Sequence, residues 1–201
     1  MAISMMGFRN GWIIFEHMKK IYLFIFSCFI LNAVNAGTQL DSFLLKLKQY
    51  CGKSFEGTIT AGGKVGDGFT GKKLHMQIKV CGDTIKIPFF VGDDKSRVWV
   101  LTKQNGYLKL KHEHTHEDGN PDKVTQYGGV APNIGFSNMQ FFPADVETCS
   151  LIPYACSNVW WMTVNDTSFT YNLRRIGSDR LFTVTFDLTK PTNEVLIPWG
   201  W

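Results

Sequence analysis

The sequence predicts a mainly all-β chain, with one N-terminal helix followed by an antiparallel up-and-down β-barrel of about 8–10 strands. Three observations lead there. Beyond Gly52 nearly every segment alternates apolar and polar residues, the period of a strand with one covered face. The alternating runs are separated by Gly-, Asn- and Asp-rich turns. Only Thr38 to Tyr50 carries helical spacing, so no strand–helix alternation points to a parallel sheet. A meander of that many strands most economically closes on itself, because closure removes the exposed edges.

Residues 1–36 read as a targeting segment. Met18-Lys-Lys20 is a basic start, Ile21 to Leu31 an apolar run, and Val34-Asn-Ala36 a small-residue cleavage site after Ala36. Residues 1–17 lie upstream of that logic, which makes Met18 the candidate true start. The apolar run is too short for a comfortable membrane span, so no integral span is expected in the mature chain. The Lys-Lys start and compact signal point to bacterial export, and the expected location is secreted or periplasmic. Cys28 falls inside the removed run.

Of the chain's 201 residues and net charge of +4, the targeting segment takes Arg9, Lys19 and Lys20 against Glu16. The near-neutral remainder fits one domain and gives no argument for a nucleic-acid partner or an anionic membrane. It keeps four cysteines, Cys51, Cys81, Cys149 and Cys156. An even number in an exported chain favours two disulfides. Three pairings are open, and proximity in sequence favours Cys51 with Cys81 and Cys149 with Cys156.

The helix falls within 37–52, where Leu40, Phe43, Leu44, Leu47 and Tyr50 share a face and Asp41 or Thr38 can cap the start. The barrel runs from 53 to 188. Leu74, Met76, Ile78 and Val80 line one face of an early strand, with His75, Gln77 and Lys79 opposite. Thr84 to Val91, interrupted by Pro88, pairs back across Cys81-Gly-Asp83. Gly92-Asp-Asp94 leads to Arg97–Leu101, and Gln104-Asn-Gly106 is a hairpin signal before the next strand. Further strands are expected at Val124–Tyr127, Met139–Phe142, Val146–Ile152, Val159–Val164, Ser168–Arg175 and Leu181–Leu188. Alternation sends one of Trp160 and Trp161 inward, the other being half-covered by the tail. It likewise sends one of Arg174 and Arg175 inward, where an ion pair with a barrel acid is expected. Residues 189–201 form an apolar tail, with Val195, Ile197, Trp199 and Trp201 alternating, that caps the barrel.

The densest chemistry lies in Leu108-Lys-Leu-Lys-His112-Glu-His114-Thr-His116-Glu117-Asp118. In a regular strand Leu108, Leu110, His112, His114 and His116 share a face. Imidazole is a common ligand for divalent transition metals, here zinc or copper. First and last rings would stand about 13 Å apart on a straight strand, so one ion could take two of them, completed by Glu117, Asp118 or a neighbouring strand. The competing expectation is an exposed strand end with no ligand. Mutual repulsion of clustered rings would lower their pKa values.

The helix followed by the opening strand Gly52-x-x-Phe55-x-Gly57 and a meander resembles the calycin class of lipocalins and fatty-acid-binding proteins. That resemblance implies a barrel enclosing a small apolar ligand. Tyr50-Cys-Gly-Lys-Ser-Phe-Glu-Gly57, Leu108 to Asp122, Phe142-Pro-Ala-Asp145 and Tyr171-Asn-Leu-Arg-Arg175 are similar to a group of uncharacterised secreted bacterial proteins, which implies one exported domain. Gly106-x5-His112-x-His114-x2-Glu117 resembles the first metal motif of cupins, but no histidine follows His116 for the second. There is no Gly-x-Ser-x-Gly turn, and no catalytic residue is assigned. An aromatic outer-membrane strand at the C-terminus is opposed by Pro198, four cysteines and the lysines of many strands. The leading expectation is a non-enzymatic small-ligand-binding protein. A metal site at the histidine strand is the alternative, and a periplasmic protein-binding or inhibitor module using the acidic turn is the second.

Overall fold

A computed structural model describes residues 39–201, so the targeting segment, its cleavage site and Thr38 lie outside the described residues. Helix α1 covers residues 39–48. Leu40, Phe43, Leu44 and Leu47 form its buried stripe. Asp41 sits inside the helix rather than capping it, and its carboxylate pairs with Lys103. Eleven strands follow. They are β1 (Ser54–Ala61), β2 (Leu74–Gln77), β3 (Val80–Cys81), β4 (Thr84–Val91), β5 (Asp94–Gln104), β6 (Tyr107–His114), β7 (Tyr127–Val130), β8 (Met139–Pro143), β9 (Asn158–Val164), β10 (Ser168–Arg175) and β11 (Leu181–Asp187). A short helix α2 (Val146–Leu151) and a 3-10 turn (Pro153–Ala155) separate β8 from β9.

Ten strands run antiparallel in the order β7-β6-β5-β4-β2-β1-β11-β10-β9-β8, with β3 paired to the first half of β4, in line with β2. The result is the nearly closed barrel that the alternation predicts. The β5–β6 hairpin turns on Asn105 and Gly106, with φ of 52° and 82°, as a two-residue primed turn demands. Both disulfides follow the nearest-neighbour pairing, Cys51–Cys81 and Cys149–Cys156.

The ends of the path, β7 and β8, meet without a ladder. The Asp145 N–H donates to Gly128 O at 2.9 Å. The Thr148 hydroxyl accepts from Gly128 N–H at 2.7 Å and donates to Gly128 O at 2.9 Å. One hydroxyl thus does for Gly128 what a partner strand would do. Glycine is required here, because a Cβ on Gly129 would stand 1.8 Å from Pro143 O. Lys111 reaches across the bare backbone of β7 to Asp145 at 2.7 Å and Glu147 at 2.6 Å.

One end of the barrel is plugged by α1, whose apolar stripe joins Phe55, Leu101, Leu108, Phe142 and Val164 in one core. Each fully buried Leu or Phe contributes about 1.5–3 kcal/mol. Tyr50 fixes the plug by donating its hydroxyl to Asp166 O in the β9–β10 turn at 3.1 Å.

Several expectations need correction. Val146–Ile152 is not a strand but helix α2 and its exit, because Asp145 caps Thr148 N–H and Pro153 stops the helix. The strand expected at Val124–Tyr127 forms instead at Tyr127–Val130. Asp122 captures Val124 N–H and Gln126 takes φ 61°, so the chain bends before Tyr127. Strand β2 is buried on both faces. The tail explains this, since it crosses the outer wall rather than capping an end. Thr192 bonds Ser54 O and the His75 ring, and Trp199 N–H donates to Lys95 O. Val195 and Ile197 consequently face solvent, 69% and 58% exposed. Of the two adjacent tryptophans Trp160 is the one that points inward, and Trp161 is half-covered, by Phe141 at 6.2 Å rather than by the tail.

The seam gives a direct test. Thr148→Val keeps the shape but strands the Gly128 N–H, and is expected to cost about 2–3 kcal/mol. Thr148→Ser keeps the hydroxyl and should cost less than about 1 kcal/mol. Urea midpoints at unchanged m-value measure both.

A candidate ligand cavity at the unplugged end

Opposite α1, the interior is not filled. A cavity of about 310 Å³ lies between the ends of β4, β6 and β10 and the starts of β5, β9 and β11. Alternation aims the lining. Arg97 and Trp99 on β5, His112 and His114 on β6, Trp160 on β9, Tyr171, Leu173 and Arg175 on β10, and Phe182 on β11 all project into it. Phe69, from the β1–β2 connection, and Phe89 add to the apolar wall. The floor is a stack of rings, with Trp99 4.3 Å from Tyr171 and 4.7 Å from Phe89. Below that stack the barrel is solid with side chains.

The histidine strand is placed as its parity predicts, but its rings are used differently. His112 is 3% exposed and stacks on Tyr127 at 4.5 Å. Its Nδ1 lies 3.0 Å from Tyr127 O, and its Nε2 lies 2.7 Å from the Tyr171 hydroxyl. A carbonyl only accepts, so Nδ1 carries the proton, and Tyr171 donates its hydroxyl proton to Nε2. Both nitrogens are thereby engaged. His114 Nε2 lies 3.0 Å from the Tyr127 hydroxyl. The strand ends at His114, which leaves His116, Glu117 and Asp118 exposed in the following turn. Asp118 accepts from Asn120 N–H and its amide. Among the described residues, no three of His, Cys, Asp or Glu are grouped to hold a metal ion.

Burial, above all, pushes His112 down to about 3, helped by His114 and Lys111 and opposed by the bond to Tyr127. Burial also takes His114 down to about 4, with the charge of Arg97 adding to it. The direction is the one expected from clustered rings, but the main cause is desolvation rather than mutual repulsion. Burial likewise raises the Tyr127 phenol to about 12 and that of Tyr171 well above its usual value. At neutral pH the inner surface around these four side chains is uncharged.

The charge sits at the rim. Arg97 is neutralised by Asp94, three residues earlier. Arg175 does not make the expected ion pair. Its Nε donates to Asn158 Oδ1 at 2.9 Å, and its guanidinium lies 4.9 Å from the Tyr154 ring centroid. Arg180 lines the same rim beside Phe182. Sequence reasoning singled out His112 and His114 but passed over Arg97, Trp99, Tyr127, Tyr171 and Arg180. Parity could have found three of them, since Arg97 and Trp99 match Leu101, and Tyr171 matches Arg175, across strands already delimited, whereas Arg180 lies in the turn before β11. Tyr127 and its facing required the shifted strand.

No protein-family model, curated protein or solved structure matches this chain.

The neutral His112 sets a pH dependence. Its pKa is about 3 folded against 6.5 for an ordinary imidazole, so the unfolded chain takes up the proton first. Its contribution is intact above the unfolded value. It falls by about 1.4 kcal/mol per pH unit as pH drops from there toward the folded value. Urea midpoints between about pH 7 and pH 5 should decline accordingly, and His112→Gln should flatten the slope.

Proposed function

We propose that this protein is an exported β-barrel that binds a small, largely apolar ligand in the cavity at its unplugged end. The observation that carries the reading is the cavity itself, a ring-lined space of about 310 Å³ above an otherwise solid interior. Ligand pockets typically run from roughly 300 to 1,000 Å³ and combine apolar walls with a few placed polar groups. This one is at the small end, suited to a ligand of two or three aromatic rings rather than a long chain. Its inner polar groups are held by one another, as in the Tyr127–His112–Tyr171 chain, and its charged groups lie at the rim. Fixed walls lower the ordering cost of binding.

Two disulfides fit an oxidising compartment. No described helix is long and apolar enough to cross a membrane. Both agree with an exported protein released from the targeting segment that the sequence suggests. His112 supports the binding role as a wall component, because each ring nitrogen already has a partner.

The neutral fluorophore N-phenyl-1-naphthylamine tests the reading. Wild-type protein is expected to bind it saturably at one site. Leu173→Trp fills the cavity from a half-buried wall position and should weaken binding by at least about tenfold, with far-ultraviolet circular dichroism unchanged. Absence of saturable binding, or equal binding by the filled variant, would overturn the assignment.

A further inference from the structure

We propose that the cavity selects ligands bearing an anionic oxygen group, a carboxylate or phosphate, held at the rim by Arg175 and Arg180. This rests on the cavity being a ligand site, as proposed above.

The two arginines face each other across the β10–β11 hairpin, where Arg175 N–H donates to Arg180 O at 3.0 Å. Like charges directly opposite one another on paired strands are unfavourable. The usual remedy is a nearby acid, and among the described residues none lies within ion-pair distance of either guanidinium, while Arg97 at the same rim has Asp94. Asp122, the acid lining this cavity, keeps its charge while accepting from Val124 N–H, so the rim arginines Arg97, Arg175 and Arg180 face only the carboxylates of Asp94 and Asp122. The rim therefore keeps a local positive charge that an incoming anion can offset.

The guanidinium of Arg175 is also placed in advance. Its Nε is spent on Asn158, and its plane rests on Tyr154, which leaves the terminal nitrogens for an acceptor. Planar guanidinium groups match carboxylate and phosphate oxygens with paired, charge-assisted hydrogen bonds. The deep end fixes the orientation. Tyr171 gives its only hydroxyl proton to His112, so it offers an approaching group lone pairs and no donor. An anion would find no proton at that hydroxyl, which favours a ligand with its charged end at the rim and its rings inward.

The test uses calorimetric titration of the full protein with 2-naphthoate, 2-naphthyl phosphate and the neutral isostere 2-naphthamide. At least one anion is expected to bind about tenfold or more tightly than the amide. The stronger of the two anions identifies the head group. Arg180→Ala, whose side chain holds no other group by a hydrogen bond, should cut the anion-over-amide affinity ratio by about fivefold or more, each ratio being taken within the variant itself. Arg175→Lys keeps the charge but loses the fork, and should lower the preference in part. Equal affinity for amide and anions, or an unchanged preference in Arg180→Ala, would overturn anion selection and leave the cavity reading standing. Failure of all three probes to bind would remove both.

Discussion

The structure depends on two backbones being able to touch. An up-and-down sheet of ten strands curls but does not close unless its first and last members meet, and here they meet at Gly128-Gly129 and Pro143. Neither side offers a regular ladder. Proline has no N–H, and β7 is only four residues long. Closure is achieved by the hydroxyl of Thr148, carried on a helix of six residues, which satisfies both polar groups of Gly128. The two central residues of β7 carry no side chain to block the approach. It also converts an edge, a liability in any open sheet, into the wall of a container.

Inside that container the two ends have been treated differently. The N-terminal helix fills one end with leucine and phenylalanine side chains, so the lower barrel behaves as an ordinary close-packed core. Toward the other end the inward positions become aromatic, then polar, then cationic. Trp99 marks the boundary, since it stacks on rings to both sides and supports the cavity above. The imidazole of His112 belongs to this gradient. It is held neutral by burial and tied at both nitrogens, a fixed polar contact in an otherwise apolar wall.

Much of this was legible from alternation alone. Period two delimited β9, β10 and β11 almost to the residue and put Leu108, Leu110 and His112 inside. The Asn105-Gly106 turn and the disulfide pairing could be read from residue type and spacing. What escaped has a common physical origin in contacts distant along the chain. Val146–Ile152 looks like a strand until Asp145 is seen to cap it and Thr148 to serve the seam. Gly128-Gly129 fell outside the strand expected at Val124–Tyr127, because nothing local reveals that two backbones must approach there. The outward faces of β2 looked exposed, since their cover is a tail more than a hundred residues later, as with His75 and Thr192. The histidine repeat drew the eye to a metal, yet its rings are engaged by Tyr127 and Tyr171, partners that local spacing could not supply. The arginine rim was half visible, with Arg175 noted and Arg180 missed across the same turn.

The loop stapled by Cys149 and Cys156 carries Ile152, Tyr154 and Ala155, all of which line the cavity, and it begins in the helix that closes the seam. Oxidation of one thiol pair therefore finishes two things at once, the join of the wall and the shape of the mouth. Reducing that one bond would loosen both together, because the same few residues serve the wall and the opening.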